Sequence, residues 1–251
     1  MKAMYFVSDV HLGCGNREQE QRKIQRLDAL LRQALNDATA IYFVGDLFDF
    51  WFEYRSVLPR GYHRILTAIE DLTRAGVEVC YLAGNHDFAI GRFFAEDLGV
   101  RVIRDDLSFE HAGVRFSLYH GDGLAPKDGG YRFLKRVLRN RVAQWGFRWL
   151  HPDLGFRLAR LTSHTSRAYT GTVKQYGPVD GMRLDAARRM AAGADIVVMG
   201  HRHIPALERM EGGVYVNLGD WIRHYSYAEW RDGHVRLFSL ADGEARRLDE
   251  V

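Results

Sequence analysis

Five short polar blocks, each placed where a run of strand-forming residues stops, constrain this chain more than any other feature. Asp9-Val10-His11 follows the apolar run 3–8, and Gly45-Asp46 follows 40–44. Gly84-Asn85-His86-Asp87 follows 77–82, His120-Gly121-Asp122 follows 114–119, and Gly200-His201-Arg202-His203 follows 195–199. In open α/β sheets the carboxyl ends of strands converge on one crevice, so the five blocks are expected to meet. The glycines beside them permit sharp turns and close backbone approach. Ile24, Leu27, Leu30, Leu31 and Leu35 form a helical stripe over 17–36, and a second helix is expected over 60–75, closed by Gly76. Strand–helix–strand–helix–strand predicts a sheet covered by helices. Residues 107–119 predict a hairpin turning at Ala112-Gly113, and 204–240 predict several strands with turns at Gly212-Gly213 and Asp232-Gly233. Few strand signals fall between 124 and 193, which reads as a helical insertion within a single domain, 1–251.

The residue types in the blocks narrow the chemistry. Asp9, His11, Asp46, Asn85, His120, His201 and His203 offer carboxylate, amide and imidazole donors and no thiolate. That set suits Mn, Fe, Zn or Mg. Seven ligands are more than one ion can use while keeping a position open for substrate. Two ions can share them if one carboxylate bridges, and a pair ~3.5–4 Å apart forms a clamp for in-line phosphoryl displacement. Two dications against Asp9 and Asp46 leave the site with a charge of about +2, which favours a phosphate or diphosphate.

Composition excludes other classes. The only cysteines, Cys14 and Cys80, cannot build a disulfide framework, and a reducing cytoplasm is expected. Cys80 lies in an apolar strand and is expected to pack. The amino terminus lacks the apolar core of a signal peptide, and no apolar run approaches a membrane span; the best candidate, 40–52, is interrupted by Asp46 and Asp49. The net charge of +3 is unevenly spread. Residues 131–167 hold nine basic residues and one acid, Asp153, for a net +8, so the remaining chain carries −5. Tyr131, Phe133, Trp145, Phe147, Trp149 and Phe156 are interleaved with those charges. A basic, apolar segment of this kind suits an anionic membrane surface or an acyl-binding cleft. The alternatives are a cap with solvated arginines and, less favoured, nucleic-acid binding.

The ordered blocks resemble the calcineurin-like metallophosphoesterase superfamily, whose pattern is Asp-x-His, Gly-Asp, Gly-Asn-His-Asp/Glu, a lone His and Gly-His-x-His. The resemblance implies an α/β (α+β) fold, a four-layer αββα sandwich of two mixed β-sheets. It implies that Asp9, His11, Asp46 and His203 hold one ion, and that Asp46, Asn85, His120 and His201 hold the second, with Asp46 bridging. His86 would be the general acid or transition-state hydrogen-bond donor, oriented by Asp87.

Within the superfamily the chain is similar to the UDP-2,3-diacylglucosamine hydrolases of lipid A synthesis. The similarity is carried by Gly45-Asp46-Leu47-Phe48-Asp49-Phe50-Trp51, Gly84-Asn85-His86-Asp87-Phe88, His120-Gly121-Asp122 with Asp128-Gly129-Gly130-Tyr131, and Gly200-His201-Arg202-His203-Ile204-Pro205. It implies Mn²⁺-dependent cleavage of the diphosphate to UMP and an acylated glucosamine 1-phosphate, by a cytoplasmic enzyme peripheral on the inner membrane. Substrate contacts would fall on Asn85, His86, Asp128, Tyr131 and Ser166. The chain departs from the family's best-known members at His86, where they carry Arg; a permanently charged phosphate contact is replaced by a titratable one. The competing expectations are a phosphatase or phosphodiesterase for another nucleotide or phospholipid, and a non-catalytic metal-binding scaffold.

Overall fold

The computed structural model describes residues 2–87, 89–124, 140–155, 157 and 181–251. The first strand, β1 (Ala3–Val7), is buried along its whole length. Its alternate side chains enter two different cores: Ala3, Tyr5 and Val7 face helices, whereas Met4 and Phe6 face a second sheet. A strand buried on both faces is why this segment reads as a continuous apolar run rather than an alternating one.

Helix α1 (Arg17–Asp37) starts at a capping box, in which Asn16 accepts from the Gln19 N–H and the Gln19 side chain accepts from the Asn16 N–H. It buries Leu27, Leu30, Leu31 and Ala34. Leu35, expected on the same stripe, is 37% exposed, and Ala34 takes its place against the sheet. Strand β2 (Ala38–Val44) pairs parallel to β1, followed by α2 (His63–Arg74) and β3 (Glu78–Leu82), which pairs parallel to β2. α2 contributes Ile65, Ala68, Ile69 and Leu72 to the helix-side core. Truncating a fully buried leucine there, such as Leu72, to alanine costs ~2–5 kcal/mol. The short helix α3 (Phe93–Glu96) and edge strand β4 (Arg101–Ile103) complete this half.

Strands β5 (Leu107–His111) and β6 (Val114–Tyr119) form the expected hairpin. Ala112 and Gly113 both take positive φ, the backbone of a two-residue primed turn. Then follow α4 (Arg141–Phe147), α5 (Gly181–Ala191), β7 (Ile196–Met199), β8 (Pro205–Met210), β9 (Gly213–Leu218), β10 (Ser226–Arg231), β11 (His234–Ser239) and β12 (Arg246–Glu250). The turn between β8 and β9 is Glu211-Gly212, with Gly213 already paired to Met210.

Two mixed sheets result. Sheet I has the order β12-β11-β10-β1-β2-β3-β4, and sheet II the order β5-β6-β7-β9-β8. Between them lies an apolar layer that includes Phe6, Val44, Leu82, Phe116, Val198, Val216 and Trp230. Cys80 packs in this layer as expected, and neither cysteine is in a disulfide. α1 and α2 cover the far face of sheet I, and α5 covers sheet II through Met182, Ala186 and Met190. The four-layer αββα architecture is therefore present. α5 falls within the 124–193 stretch and is the outer layer of sheet II. β1, β2, β3 and β4 run parallel, as do β6, β7 and β9, so seven strands deliver their carboxyl ends to one edge of the sandwich.

Candidate metal centre

The residues that leave these strand ends adopt unusual backbone. Asp9, His11, Asp46, His201 and His203 all have φ between 48° and 65°. Non-glycine residues rarely occupy this left-handed region, and clustering of such strain marks functional sites. The geometry is held by backbone bonds between blocks: the Asp9 N–H donates to Gly45 O (3.2 Å) and the His11 N–H to Asp46 O (3.0 Å). A Cβ on Gly84 would collide with the Asp46 carboxylate, and one on Gly200 with that of Asp9.

Two neighbouring donor groups emerge. In the first, Asp9 Oδ1 lies 3.6 Å from His11 Nε2 and 3.3 Å from His203 Nε2, and the two imidazole nitrogens are 3.3 Å apart. In the second, Asn85 Oδ1 lies 3.0 Å from His120 Nε2 and 2.9 Å from His201 Nδ1. Asp46 Oδ2 joins them, 3.3 Å from His120 Nε2 and 3.7 Å from His11 Nε2. All seven expected donors thus come together, and the Asp46 carboxylate stands between the two groups.

The donor set fits divalent cations. Asp9 Oδ1 is fully buried and has no hydrogen-bond partner. Its sister Oδ2 is fixed by Ser8 Oγ (2.8 Å) and the His201 N–H (2.7 Å), so the orphaned atom is aimed at the cluster. A buried, unpaired carboxylate oxygen is costly unless a cation meets it. The histidines are also turned for ligation. His120 Nδ1 donates to Val44 O (2.9 Å), so Nε2 is the nitrogen left facing the cluster.

Electrostatics agree. Burial lowers the His120 imidazole pKa, but Asp46 and Asp9 overcome it and the net shift is well upward. Burial raises Asp46, yet the His120 imidazole beside it, through charge and hydrogen bonding, holds its carboxyl far below the ordinary range. Both carboxylates are therefore ionised and seek positive charge. His201, buried and beside His120, falls to about 4 and is neutral at pH 7, the form that ligates a metal.

His86 and Asp87 divide the work differently from the expectation. Asp87 does not orient the His86 ring. Its Oδ1 accepts from the Gly84 N–H (2.7 Å), and its Oδ2 accepts from the Leu47 N–H (2.9 Å) and the Tyr81 hydroxyl. Asp87 thereby ties the Asp46 loop to the Asn85 loop. The ring of His86 is set by Asp49, whose carbonyl accepts from Nδ1 at 2.9 Å. The Asp49 carboxylate also lies 3.7 Å from His11 Nδ1. Asp49, Ser8, Tyr81, Asn217 and Asp220 are site residues that the five blocks do not contain. For Asp220 the signal was present, because it follows β9 as the blocks follow their strands.

Beside the Asp46–Asp49 loop, α4 docks through Phe147, whose ring lies 6.1 Å from Phe50 and 4.6 Å from Phe52. Trp145 and Trp149 remain 60% and 76% exposed. Asp128, Tyr131 and Ser166 lie outside the described residues.

Fold and donor geometry together define a metallophosphoesterase, and the chain belongs to the calcineurin-like phosphoesterase family, whose profile matches residues 4–205. The family implies divalent metal ions, which the donor groups described above are suited to hold. A Porphyromonas gingivalis protein named UDP-2,3-diacylglucosamine hydrolase is 34% identical, over 96% of this chain and 98% of its own length. A Neisseria meningitidis (serogroup B) protein of the same name is 31% identical, over 95% and 98% respectively. Among solved structures, vacuolar protein sorting 29 from Cryptosporidium parvum shares the fold, with a TM-score of 0.52 at 17% identity over 100% of this chain and 97% of its own. No helix among the described residues is long and apolar enough to cross a membrane.

Proposed function

We propose that this protein hydrolyses the diphosphate of UDP-2,3-diacylglucosamine, adding water across the P–O–P linkage to yield UMP and 2,3-diacylglucosamine 1-phosphate. The observation that carries the reading is the seven-donor cluster with Asp46 shared between its halves, in a chain that aligns nearly end to end with hydrolases of that name. Asp9, His11, Asp46 and His203 would hold one ion, and Asp46, Asn85, His120 and His201 the other. The donor set suits Mn, Fe, Zn or Mg, and the resemblance to the family favours Mn²⁺. Two such ions would supply Lewis-acid neutralisation of phosphoryl charge and lower the pKa of water.

The chain's own groups do the rest. His86 is buried, which lowers its pKa and keeps the ring neutral at pH 7 in the free protein. Its Nδ1–H is committed to the Asp49 carbonyl, so the other ring nitrogen is available to the reacting phosphate. A diphosphate beside it favours protonation, and the ring then donates to the developing oxyanion or leaving oxygen. Asp128, Tyr131 and Ser166 are assigned to the sugar nucleotide. The +8 segment with its exposed Trp145 and Trp149 suits peripheral attachment to an anionic inner-membrane surface, where a diacylated substrate resides.

The test is to supply UDP-2,3-diacylglucosamine and a simple nucleotide diester to the Mn²⁺-loaded protein. Rapid release of UMP from the former supports the assignment. Preference for the simple diester, without UMP release, points to the other phosphodiesterase reading, and inactivity on both points to a scaffold.

A further inference from the structure

The edge that gathers the five blocks also receives the end of β9. β9 runs into Asn217-Leu218-Gly219-Asp220-Trp221, and this segment is tied to the first donor group at three points. Asn217 Nδ2 donates to Gly200 O at 2.9 Å, and the Trp221 N–H donates to Asp9 O at 3.0 Å. The third point is Asp220, only 3% exposed. Its Oδ1 accepts the N–H groups of Ile222 (3.0 Å), Arg223 (2.7 Å) and His224 (3.1 Å), with His224 Nδ1 3.4 Å away. Its Oδ2 faces His203 Nδ1 at 3.4 Å, on the side of the ring opposite the nitrogen that approaches Asp9 and His11.

We propose that Asp220 is a positioning residue: it holds the His203 ring in the tautomer that carries its proton on Nδ1, which presents the Nε2 lone pair to the ion shared with Asp9 and His11. The inference rests on the two-ion reading above. An imidazole ligates through a lone pair, so its other nitrogen must bear the proton, and a carboxylate can only accept. The three backbone donors on Oδ1 fix the carboxylate itself, so Oδ2 imposes its preference on the ring rather than following it. A backbone carbonyl, Val44 O, has the same role for His120. The two ions would therefore depend on different supports, one on a side chain and one on the main chain.

Asp220→Asn separates the roles. The three backbone donors repel an NH₂ group, so the amide oxygen stays on them and the NH₂ turns towards His203 Nδ1. That forces the ring proton onto Nε2. The full-length protein is stripped with chelator and titrated with Mn²⁺, following calorimetry and the electron paramagnetic resonance signal of free Mn²⁺. The wild type takes up two ions. Asp220→Asn is expected to bind one ion unchanged and the other ~10–100-fold more weakly, the scale of loss for partners of metal-bound histidines. Asp220→Glu, which keeps a carboxylate, is expected to recover part of that affinity. In chelator the Asn variant should melt within about 4 °C of wild type, a shift of roughly 1 kcal/mol at this size. Wild-type affinity at both sites of the Asn variant overturns the proposal, as does equal weakening of both. Uptake of fewer than two ions by the wild type overturns the two-ion reading and the proposal with it.

Discussion

At the amino end of β1, Tyr5 Oη donates to Asp37 (3.0 Å), Arg231 pairs with Asp37, and the same guanidinium bonds Glu229 at 3.0 Å. At the carboxyl end of the same strand, Ser8, Asp9 and His11 enter the candidate metal centre. Both ends hold charged side chains in partly or fully buried positions, but they are settled in different ways. At the amino end each acid has a guanidinium or hydroxyl, and Tyr5, Asp37, Glu229 and Arg231 are not among the residues with positive φ. At the carboxyl end two ionised carboxylates face histidines, Asp9 Oδ1 has no hydrogen-bond partner, and five residues hold left-handed backbone. A polar cluster that serves folding satisfies itself. One that leaves a buried carboxylate oxygen without a hydrogen bond on strained backbone is suited to holding a cation.

The contrast can be broken by substitution at either end. Asp46→Ala, which removes the carboxylate between both donor groups, should abolish turnover on UDP-2,3-diacylglucosamine, and chelator should do the same to wild type until divalent ion is restored. Retained turnover in the variant would remove the shared role of Asp46. His86→Ala should lower kcat by ~10²–10⁴-fold, the usual range for a lost acid–base group. Bound metal, measured by elemental analysis, should stay at the wild-type level; parallel loss of metal would make His86 a ligand. At the other end, Arg231→Met should leave turnover per folded molecule intact. It should cost ~1 kcal/mol, as expected for a partly exposed ion pair. That corresponds to a fall of about 2–4 °C in Tm for a chain of this size.

The smallest effect is one of pH. Burial, then the charges of Asp37 and Glu229, push the Tyr5 phenol above its usual 10.0. The folded state therefore keeps a proton that the unfolded chain releases, and the associated stability is present below about pH 10 and lost as pH rises beyond it. Tyr5→Phe removes a hydrogen bond and should cost ~1 kcal/mol at pH 7. The deficit relative to wild type should shrink between pH 9 and 11 in denaturant titrations. A constant deficit would mean that the phenol titrates normally.

What the sequence discloses follows the same division. The five blocks were legible because each interrupts an apolar run, and the convergence of parallel strand ends does the rest. β4 and β12 were not. β4 has three residues, and β12 reads Arg-Arg-Leu-Asp-Glu, an edge strand held by backbone pairing with β11 and offering no apolar alternation. Asp49 was hidden because an acid in a loop has no period; Asp220 sits past a strand end as the blocks do, but only the fold brings both acids behind His11, His86 and His203. The role expected for Asp87 failed for a related reason. Adjacency in Asn85-His86-Asp87 suggested that the acid serves the ring beside it, whereas its oxygens face the Gly84 and Leu47 amides and Tyr81.

On the reading proposed above, the carboxyl-end cluster holds two divalent ions sharing Asp46. Crystals soaked in Mn²⁺ and measured at the manganese edge test it directly. Two anomalous peaks are expected, one among Asp9, His11 and His203 and one among Asn85, His120 and His201, with Asp46 between them. A single peak, or peaks outside this set, would contradict it.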